Sequence, residues 1–298
     1  MSGKLPVLVA IDMSDWAKRA EVRGAIIAKN AADGDVLLSY IQEKSDADAF
    51  LKFFAGSSNV SQETLLKGIQ EGLQSRADAL KDEQGVSVTP IVSVGRITAE
   101  IQLLIQKNNA GLLVMGKHGH GYHAVPIIGN TPVKIIQGCP CPVLVVRNNP
   151  EHPYKRVLIP VEFTEASAHQ VKQALPFIPQ DAEITLMHVC MPPTAMLLSR
   201  APTPVDVLEK AQKRGVAEAE ASIKEFVDSL GISHPVKTVV KVGLPDRTIL
   251  ENITVNNIDL LVLGKKPRSR LQEYIVGSMV HTGLNEAECD VMITPSLK

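Results

Sequence analysis

The chain has 298 residues, of which 45% are hydrophobic and 21% are charged. These fractions are typical of a folded globular protein and argue against intrinsic disorder. The 31 lysines and arginines and 32 acidic residues leave a formal net charge of −1, which gives no support for a nucleic acid or an anionic membrane surface as a partner.

Short apolar runs alternate with longer amphipathic stretches along the first half of the chain. The apolar runs predict five strands, at Pro6–Ile11, Val36–Ile41, Ser87–Val92, Leu112–Met115 and Val143–Val146. The stretches between them predict helices near Ser14–Asn30, Ser61–Glu83, Ile97–Lys107 and Thr131–Gln137. Strands that alternate with helices predict a parallel sheet with right-handed crossovers.

The second half repeats this order after a polar, proline-broken linker at 148–155. Its predicted strands are Arg156–Val161, Ile184–Val189, Lys237–Val242, Leu260–Leu263 and Val291–Thr294. We therefore predict one domain at 1–147 and a second at 156–298.

The two halves are copies of one unit. The stretch GLLVMGKHG, which begins at Gly111, matches DLLVLGKKP, which begins at Asp259. The same offset of 148 residues relates Gly129 to Gly277. The sequence therefore predicts an α/β fold with two repeated, doubly wound parallel five-stranded sheets.

Two segments fit no regular element, and each follows the second predicted strand of its half. They are Ser45–Asn59 and Pro192–Pro204, and both carry apolar side chains. Either they cover the edge of their own sheet, or they form a lid or a surface that docks a partner, as large apolar patches often do.

The candidate site lies where predicted strands end, because open parallel sheets bind ligands at the carboxyl ends of their strands. Asp12 follows the first strand, and the loop GKHG, from Gly116 to Gly119, follows the fourth. Gly129 then precedes the last helix of the unit. Glycines let the backbone approach a phosphate, and a helix start presents free N–H groups. A phosphate site, a metal site and a sharply turning loop all remain open from this pattern alone.

At these residues the sequence resembles the universal stress protein family in its tandem, two-domain form. The nucleotide-binding members carry Gly-x-x-Gly, nine residues and then Gly-Ser/Thr, and the spacing of Gly116, Gly119 and Gly129 fits this motif. The resemblance covers both halves and implies Rossmann-like domains of the adenine nucleotide alpha hydrolase type. It also implies a pseudo-twofold axis that relates the halves through their last strands.

The resemblance further implies that the first half binds an adenine nucleotide. The strand-one aspartate would hold the ribose, an apolar residue at the end of strand two would lie against adenine, and the glycine loop and helix start would hold the phosphates. The expected set is Asp12, Ile41, Met115, Gly116, Gly119, Gly129, Asn130 and Thr131. The implied cofactor is ATP, and Mg²⁺ carried with ATP is the favoured metal.

Both halves depart from the motif, in different ways. Asn130 stands where serine or threonine is expected in the first half, whereas Pro267 replaces the second glycine in the second half. Proline has no backbone N–H and a fixed φ, so we expect the first half to be the better phosphate site. The candidate residues of the second half are Glu162, Val189, Gly264, Gly277 and Ser278.

A metal site is the main alternative for the glycine loop, because His118, His120 and His123 fall within six residues. Zinc requires three or four ligands with outer-shell support, and the loop supplies no cysteine or carboxylate. We therefore expect no metal ligands here. Cys139 and Cys141 form a CPC motif whose prolines stiffen it, so we interpret them as buried structural thiols that need not face each other.

The sequence favours binding over catalysis. It contains neither the GxSxG motif of serine hydrolases nor the GxxxxGK[ST] motif of P-loop ATPases. We predict a stress-response protein that binds ATP in its first half as a sensor or regulator, with little or no hydrolysis. The alternatives are a scaffold that binds a protein partner or a hydrophobic ligand with decayed nucleotide sites, and a phosphohydrolase that uses a loop histidine.

Cellular location is predicted from two further features. No apolar run reaches the roughly 18 residues that a membrane-spanning helix needs, and the four cysteines do not form the spaced framework of an extracellular protein. We therefore expect a cytoplasmic protein. The tandem chain could form a homodimer, and its protein partner is unknown.

Overall fold

The computed structural model describes residues 5–30, 34–45, 61–119, 128, 130–192, 205–265 and 277–297. Of residues 62 and 130 it describes the backbone alone. The two predicted inserts lie outside these ranges except for Ser45 and Pro192, as do His120, His123 and Pro267. The chain divides into two compact units, Met1–Pro153 and Tyr154–Lys298, called unit 1 and unit 2 below.

Unit 1 is built on a five-stranded parallel sheet. Its strands are β1 Val7–Ile11, β2 Val36–Gln42, β3 Val88–Val94, β4 Leu112–Gly116 and β5 Val143–Val146. Its helices are α1 Asp15–Asn30, α2 Gln62–Gln84, α3 Ile97–Asn108 and α4 Asn130–Gly138. The strand order is β3-β2-β1-β4-β5, so the direction of winding reverses between β1 and β4.

Unit 2 repeats the same architecture. Its strands are β6 Arg156–Pro160, β7 Glu183–Cys190, β8 Val236–Val242, β9 Leu260–Gly264 and β10 Asp290–Thr294. Its helices are α5 Glu165–Ala174, a 3-10 turn Leu175–Phe177, α6 Val205–Leu230, α7 Pro245–Val255 and α8 Ser278–Glu286. The order β10-β9-β6-β7-β8 is again parallel. The prediction of two repeated, doubly wound parallel five-stranded sheets is confirmed.

The central strands form the core of each unit. Successive residues of β1, such as Leu8 and Val9, and of β4, such as Leu113 and Val114, are completely buried. Because side chains alternate between the two faces of a strand, burial of consecutive residues shows that both faces of the sheet are covered. This rigid core fixes the strand ends from which the candidate site is built.

Candidate functional site

Unit 1 contains a cavity of about 660 Å³ at the carboxyl ends of β1, β2 and β4. Residues that follow these strands form one side of the cavity, and the first residues of α3 and α4 form the other. The cavity therefore lies where the strand order reverses, which is where open α/β sheets place their ligands.

The cavity brings together most of the residues that the sequence predicts for the site. Its lining includes Asp12, Ile41, Met115, Gly116, Gly119 and Thr131. Gly129 lies outside the described residues. Asn130 is the first residue of α4, and its side chain is not described.

Asp12 is held by the turn that joins β1 to α1. Met13 has a φ of 64°, in the left-handed region, and this turn allows the Ser14 N–H to donate to Asp12 Oδ1 at 3.1 Å. The Ser14 hydroxyl then accepts from the Ala17 N–H at 3.1 Å and caps the first turn of α1. Phe163 has a φ of 56° at the matching position of unit 2. A left-handed conformation costs a non-glycine residue roughly 1–2 kcal/mol, so both units pay this cost at the same turn.

The other oxygen of Asp12 faces the glycine loop. A Cβ placed on Gly119 would lie 2.8 Å from Asp12 Oδ2, closer than real contacts allow. The loop therefore passes beside the carboxylate as bare backbone. This contact brings the loop after β4 up to the carboxylate that follows β1.

The presence of glycine at residue 116 is explained by the packing of helix α1. A Cβ at Gly116 would lie 2.8–2.9 Å from Trp16, including its backbone carbon and oxygen. Helix α1 thus packs against the end of β4 at a distance that only glycine permits. The family resemblance gave Gly116 a phosphate-binding role, and the structure adds this packing role to its place in the cavity wall.

Lys117 is the site residue that sequence reasoning missed. It lines the cavity although only 4% of its surface is exposed. Burial, together with the nearby charge of Arg147, lowers the pKa of the Lys117 ammonium from 10.5 to about 8. A lysine placed directly after a buried strand and inside a glycine loop was the signal that could have identified it.

His118 also lines the cavity, and its side chain lies against helix α1. Its ring meets the Trp16 ring edge-on at 5.0 Å between centroids, and the Arg19 guanidinium stands 4.4 Å from the Trp16 ring. Burial, followed by the charges of Lys117 and Arg147, lowers the pKa of His118. Burial and the two cationic neighbours therefore all disfavour the protonated form of the ring.

Unit 2 has a second cavity, of about 740 Å³, at the corresponding strand ends. All five predicted residues line it: Glu162, Val189, Gly264, Gly277 and Ser278. The packing at the end of β9 differs from that at the end of β4. A Cβ on Gly264 would come closest to the end of the Gln170 side chain, at 2.8 Å from Oε1, and not to the backbone of a helix. The Gln170 amide donates instead to the backbone, at 3.0 Å from Val262 O.

Among the described residues, the aromatic contacts of the second cavity also differ from those of the first. His188 lines the cavity, and its Nδ1 lies 2.8 Å from Val161 O. The Phe163 ring lies on the His188 ring with 4.4 Å between centroids. The two cavities therefore share a position in the fold but not the side chains that shape them.

No group of three or more histidine, cysteine or acidic side chains forms a metal site among the described residues. Of the three loop histidines, His118 alone belongs to that part of the chain.

The two thiols of the CPC motif lie closer than the sequence indicated. Cys139 and Cys141 are buried, and their Sγ atoms are 3.6 Å apart. The expectation that they need not face each other is wrong, because the short turn before β5 places both side chains in one pocket. The hydrogen bond with Cys139 and burial raise the pKa of the Cys141 thiol, which makes it a poor nucleophile.

Within the described ranges, no helix combines the length and the apolar character needed to cross a membrane.

Comparison with known proteins matches this architecture to one family. The sequence model of the universal stress protein family matches residues 5–147 and 153–295. The universal stress protein MJ0531 of Methanocaldococcus jannaschii is 24% identical over 156 residues, which cover 52% of this chain and 89% of that protein.

Solved structures share the fold over nearly the whole chain. A universal stress protein from Archaeoglobus fulgidus DSM 4304 has a TM-score of 0.66 at 14% identity, covering 97% of this chain and 98% of that one. A protein of unknown function from Pseudomonas aeruginosa PAO1 has a TM-score of 0.63 at 16% identity, covering 99% and 93%. The two matches of the family model, one in each half, show that this chain belongs to the universal stress protein family.

Proposed function

We propose that unit 1 binds an adenine nucleotide, ATP, and that the chain acts as a nucleotide-dependent sensor or regulator in a stress response. The observation that carries this proposal is the contact between the bare backbone at Gly119 and the Asp12 carboxylate. It joins a group that can accept hydrogen bonds from ribose hydroxyls to a loop on which phosphates can lie without a clash.

The size and lining of the unit 1 cavity support this proposal. Sites for small ligands usually measure about 300–1,000 Å³, and this cavity measures about 660 Å³. Ile41, Ile97 and Ile101 give the cavity an apolar part of its lining. Thr131, in the first turn of α4, also lines the cavity, and helix N–H groups there favour an anion.

Lys117 supplies the charge that a polyphosphate requires. It lines the cavity two residues before Gly119, and a buried ammonium attracts an anion more strongly than an exposed one. Mg²⁺ would arrive with the nucleotide and would be held by its phosphates, as is usual for this ion. The sequence carries no GxxxxGK[ST] motif of P-loop ATPases, and we propose binding with little or no hydrolysis.

Binding is tested by thermal unfolding with ATP and Mg²⁺. A ligand at 100 times its dissociation constant stabilises the folded protein by about 2.7 kcal/mol, so the melting temperature should rise with ATP concentration. The chain has one tryptophan, Trp16, and its contact with His118 makes its fluorescence a second readout within unit 1. An unchanged melting curve at millimolar ATP would instead support the scaffold alternative.

The affinity for ATP is expected to fall as the pH rises through about 8. Below the pKa of Lys117 the ammonium is already protonated and the affinity is at its full value. Above that pKa the free protein must take up a proton to bind the anion, which costs up to about tenfold in affinity per pH unit. Calorimetric titrations at pH 7, 8 and 9 measure this, and Lys117→Met should bind more weakly at pH 7 and lose the dependence. If the affinity of the wild-type chain for ATP does not change between pH 7 and 9, Lys117 does not contribute its charge to phosphate binding.

A further inference from the structure

Gln42, the last residue of β2, is a buried polar side chain in the wall of the unit 1 cavity. It lines the cavity together with its neighbours Tyr40 and Glu43, and only 7% of its surface is exposed. Burying an amide is costly unless its hydrogen-bonding groups are used. Because β1 separates β2 from β4 in the sheet, Gln42 lies with Ile41 on the β2 side of the cavity and not beside the glycine loop that follows β4. The proposed function places the base at Ile41.

The orientation of the Gln42 amide is set by two contacts. Its Nε2 lies 3.0 Å from the backbone oxygen of Glu43, and a carbonyl oxygen can only accept, so the NH₂ group must face it. The Tyr40 hydroxyl then donates to Oε1 at 3.4 Å. Tyr40 and Gln42 are two residues apart in a strand and share a face, which makes this second contact a local one.

Each contact leaves part of the amide unused. A glutamine amide has two N–H donors and two acceptor lone pairs. In the described part of the chain, the side chain of Gln42 makes the two hydrogen bonds to Tyr40 and Glu43 and uses one donor and one lone pair. One N–H of the amide and one lone pair of its oxygen remain available on a side chain in the cavity wall.

We propose that Gln42 determines the base specificity of the unit 1 site, by pairing its side-chain amide with the N6 and N7 edge of adenine. This inference rests on the proposed function and deepens it. Adenine presents a donor at N6 beside an acceptor at N7, and glutamine pairs with both at once. Guanine presents two acceptors at that edge, O6 and N7, so the oriented Oε1 of Gln42 would face an oxygen.

Unit 2 has no amide at the matching position. The offset of 148 residues places Cys190 at the position of Gln42, and a thiol cannot make a paired donor and acceptor contact. The amide is therefore a feature of unit 1 and not of the repeated fold, which agrees with a role in one ligand site.

The test compares the dissociation constants of ATP, GTP and 7-deaza-ATP, which lacks the N7 acceptor, by calorimetric titration of the full chain. The wild-type chain is expected to bind ATP at least about fivefold more tightly than either analogue, since a paired amide contact discriminates by about this factor or more. Gln42→Met keeps the volume of the side chain but not its amide. This variant should lose the preference because its affinity for ATP falls while its affinities for GTP and 7-deaza-ATP do not. Gln42→Glu, which lacks the donor, should lose the preference over 7-deaza-ATP.

The outcomes separate this inference from the proposed function. If the wild-type chain binds none of the three nucleotides, the proposed function itself fails. If it binds ATP but Gln42→Met leaves both ratios unchanged, only the role of Gln42 is overturned. Cys190→Ser changes the matching position in unit 2 and should leave the ratios at wild-type values, and melting without ligand checks that each variant is folded. Should the Gln42 variants fail to fold, equal wild-type affinities for ATP and 7-deaza-ATP would still overturn the inference.

Discussion

Gly119→Glu is expected to abolish ATP binding by unit 1, with a loss of affinity of at least about 100-fold, or about 2.7 kcal/mol. The first carbon of any side chain at this position would already lie 2.8 Å from Asp12 Oδ2. A glutamate would add a negative charge beside the Asp12 carboxylate and inside the space proposed for the phosphates. Repulsion between the two carboxylates and between glutamate and phosphate acts in the same direction as the steric clash. Calorimetric titration with ATP and Mg²⁺ measures the loss.

Gly72→Glu provides the matched control. Gly72 lies in the exposed part of α2, where an added Cβ would meet nothing within 4 Å. The variant makes the same chemical change, and it should bind ATP with wild-type affinity. ATP binding that survives Gly119→Glu would show that the nucleotide does not lie on this loop. If that binding were then lost on changing Gly277 and Ser278, the site would belong to unit 2.

The fold could be predicted from the sequence because its signals are redundant. Each strand of unit 1 has a counterpart at nearly the same offset in unit 2, and the buried aliphatic runs of β4 and β9 differ little. A short apolar run taken alone could be a strand or part of a buried helix, and finding the same run twice in the same order makes the assignment to a strand firmer. The bounds of the strands differ from the predicted ones by at most two residues at either end. Gly116 and Gly264 proved to be the last residues of their strands.

The site could be predicted only in part, because its important contacts join residues that are distant in sequence. The spacing of the glycines pointed to a loop at the end of β4, but it could not show that Gly119 faces Asp12 or that Gly116 faces Trp16. The lowered pKa of Lys117 depends on burial and on Arg147, 30 residues further along the chain. Such effects arise from tertiary packing, which local pattern does not encode.

The two units show how one backbone can carry two different cavities. Both place a non-glycine residue at positive φ after the first strand, Met13 and Phe163. This repeated feature belongs to the fold, since it sets the angle at which the first helix leaves the sheet. The side chains around it have diverged, because a methionine in one unit stands where a phenylalanine stacks on His188 in the other. The shared turn therefore reflects the fold, whereas the different side chains around it give the two cavities different linings.

The duplication gives a direct test of why glycine stands at the end of β4. Gly116→Ala is expected to destabilise unit 1 by about 2–3 kcal/mol, the range for an overpacked core that has to shift. The added Cβ would meet the backbone of Trp16, which can move only if helix α1 moves with it. For a domain of about 150 residues this corresponds to a fall in melting temperature of about 5–10 °C.

Gly264→Ala is the matched change in unit 2 and should cost less than about 1 kcal/mol, within the range of mild substitutions. Its Cβ would come closest to the end of the Gln170 side chain, which can shift by a few tenths of an ångström without moving helix α5. Melting followed by circular dichroism compares the two variants, and the fluorescence of Trp16 follows the unfolding of unit 1 separately. Equal losses in the two variants would mean that glycine is required there by the strand end itself and not by the helix that packs on it. A large loss confined to Gly116→Ala would show that the close approach of α1 sets the position of the loop that carries Lys117 and Gly119.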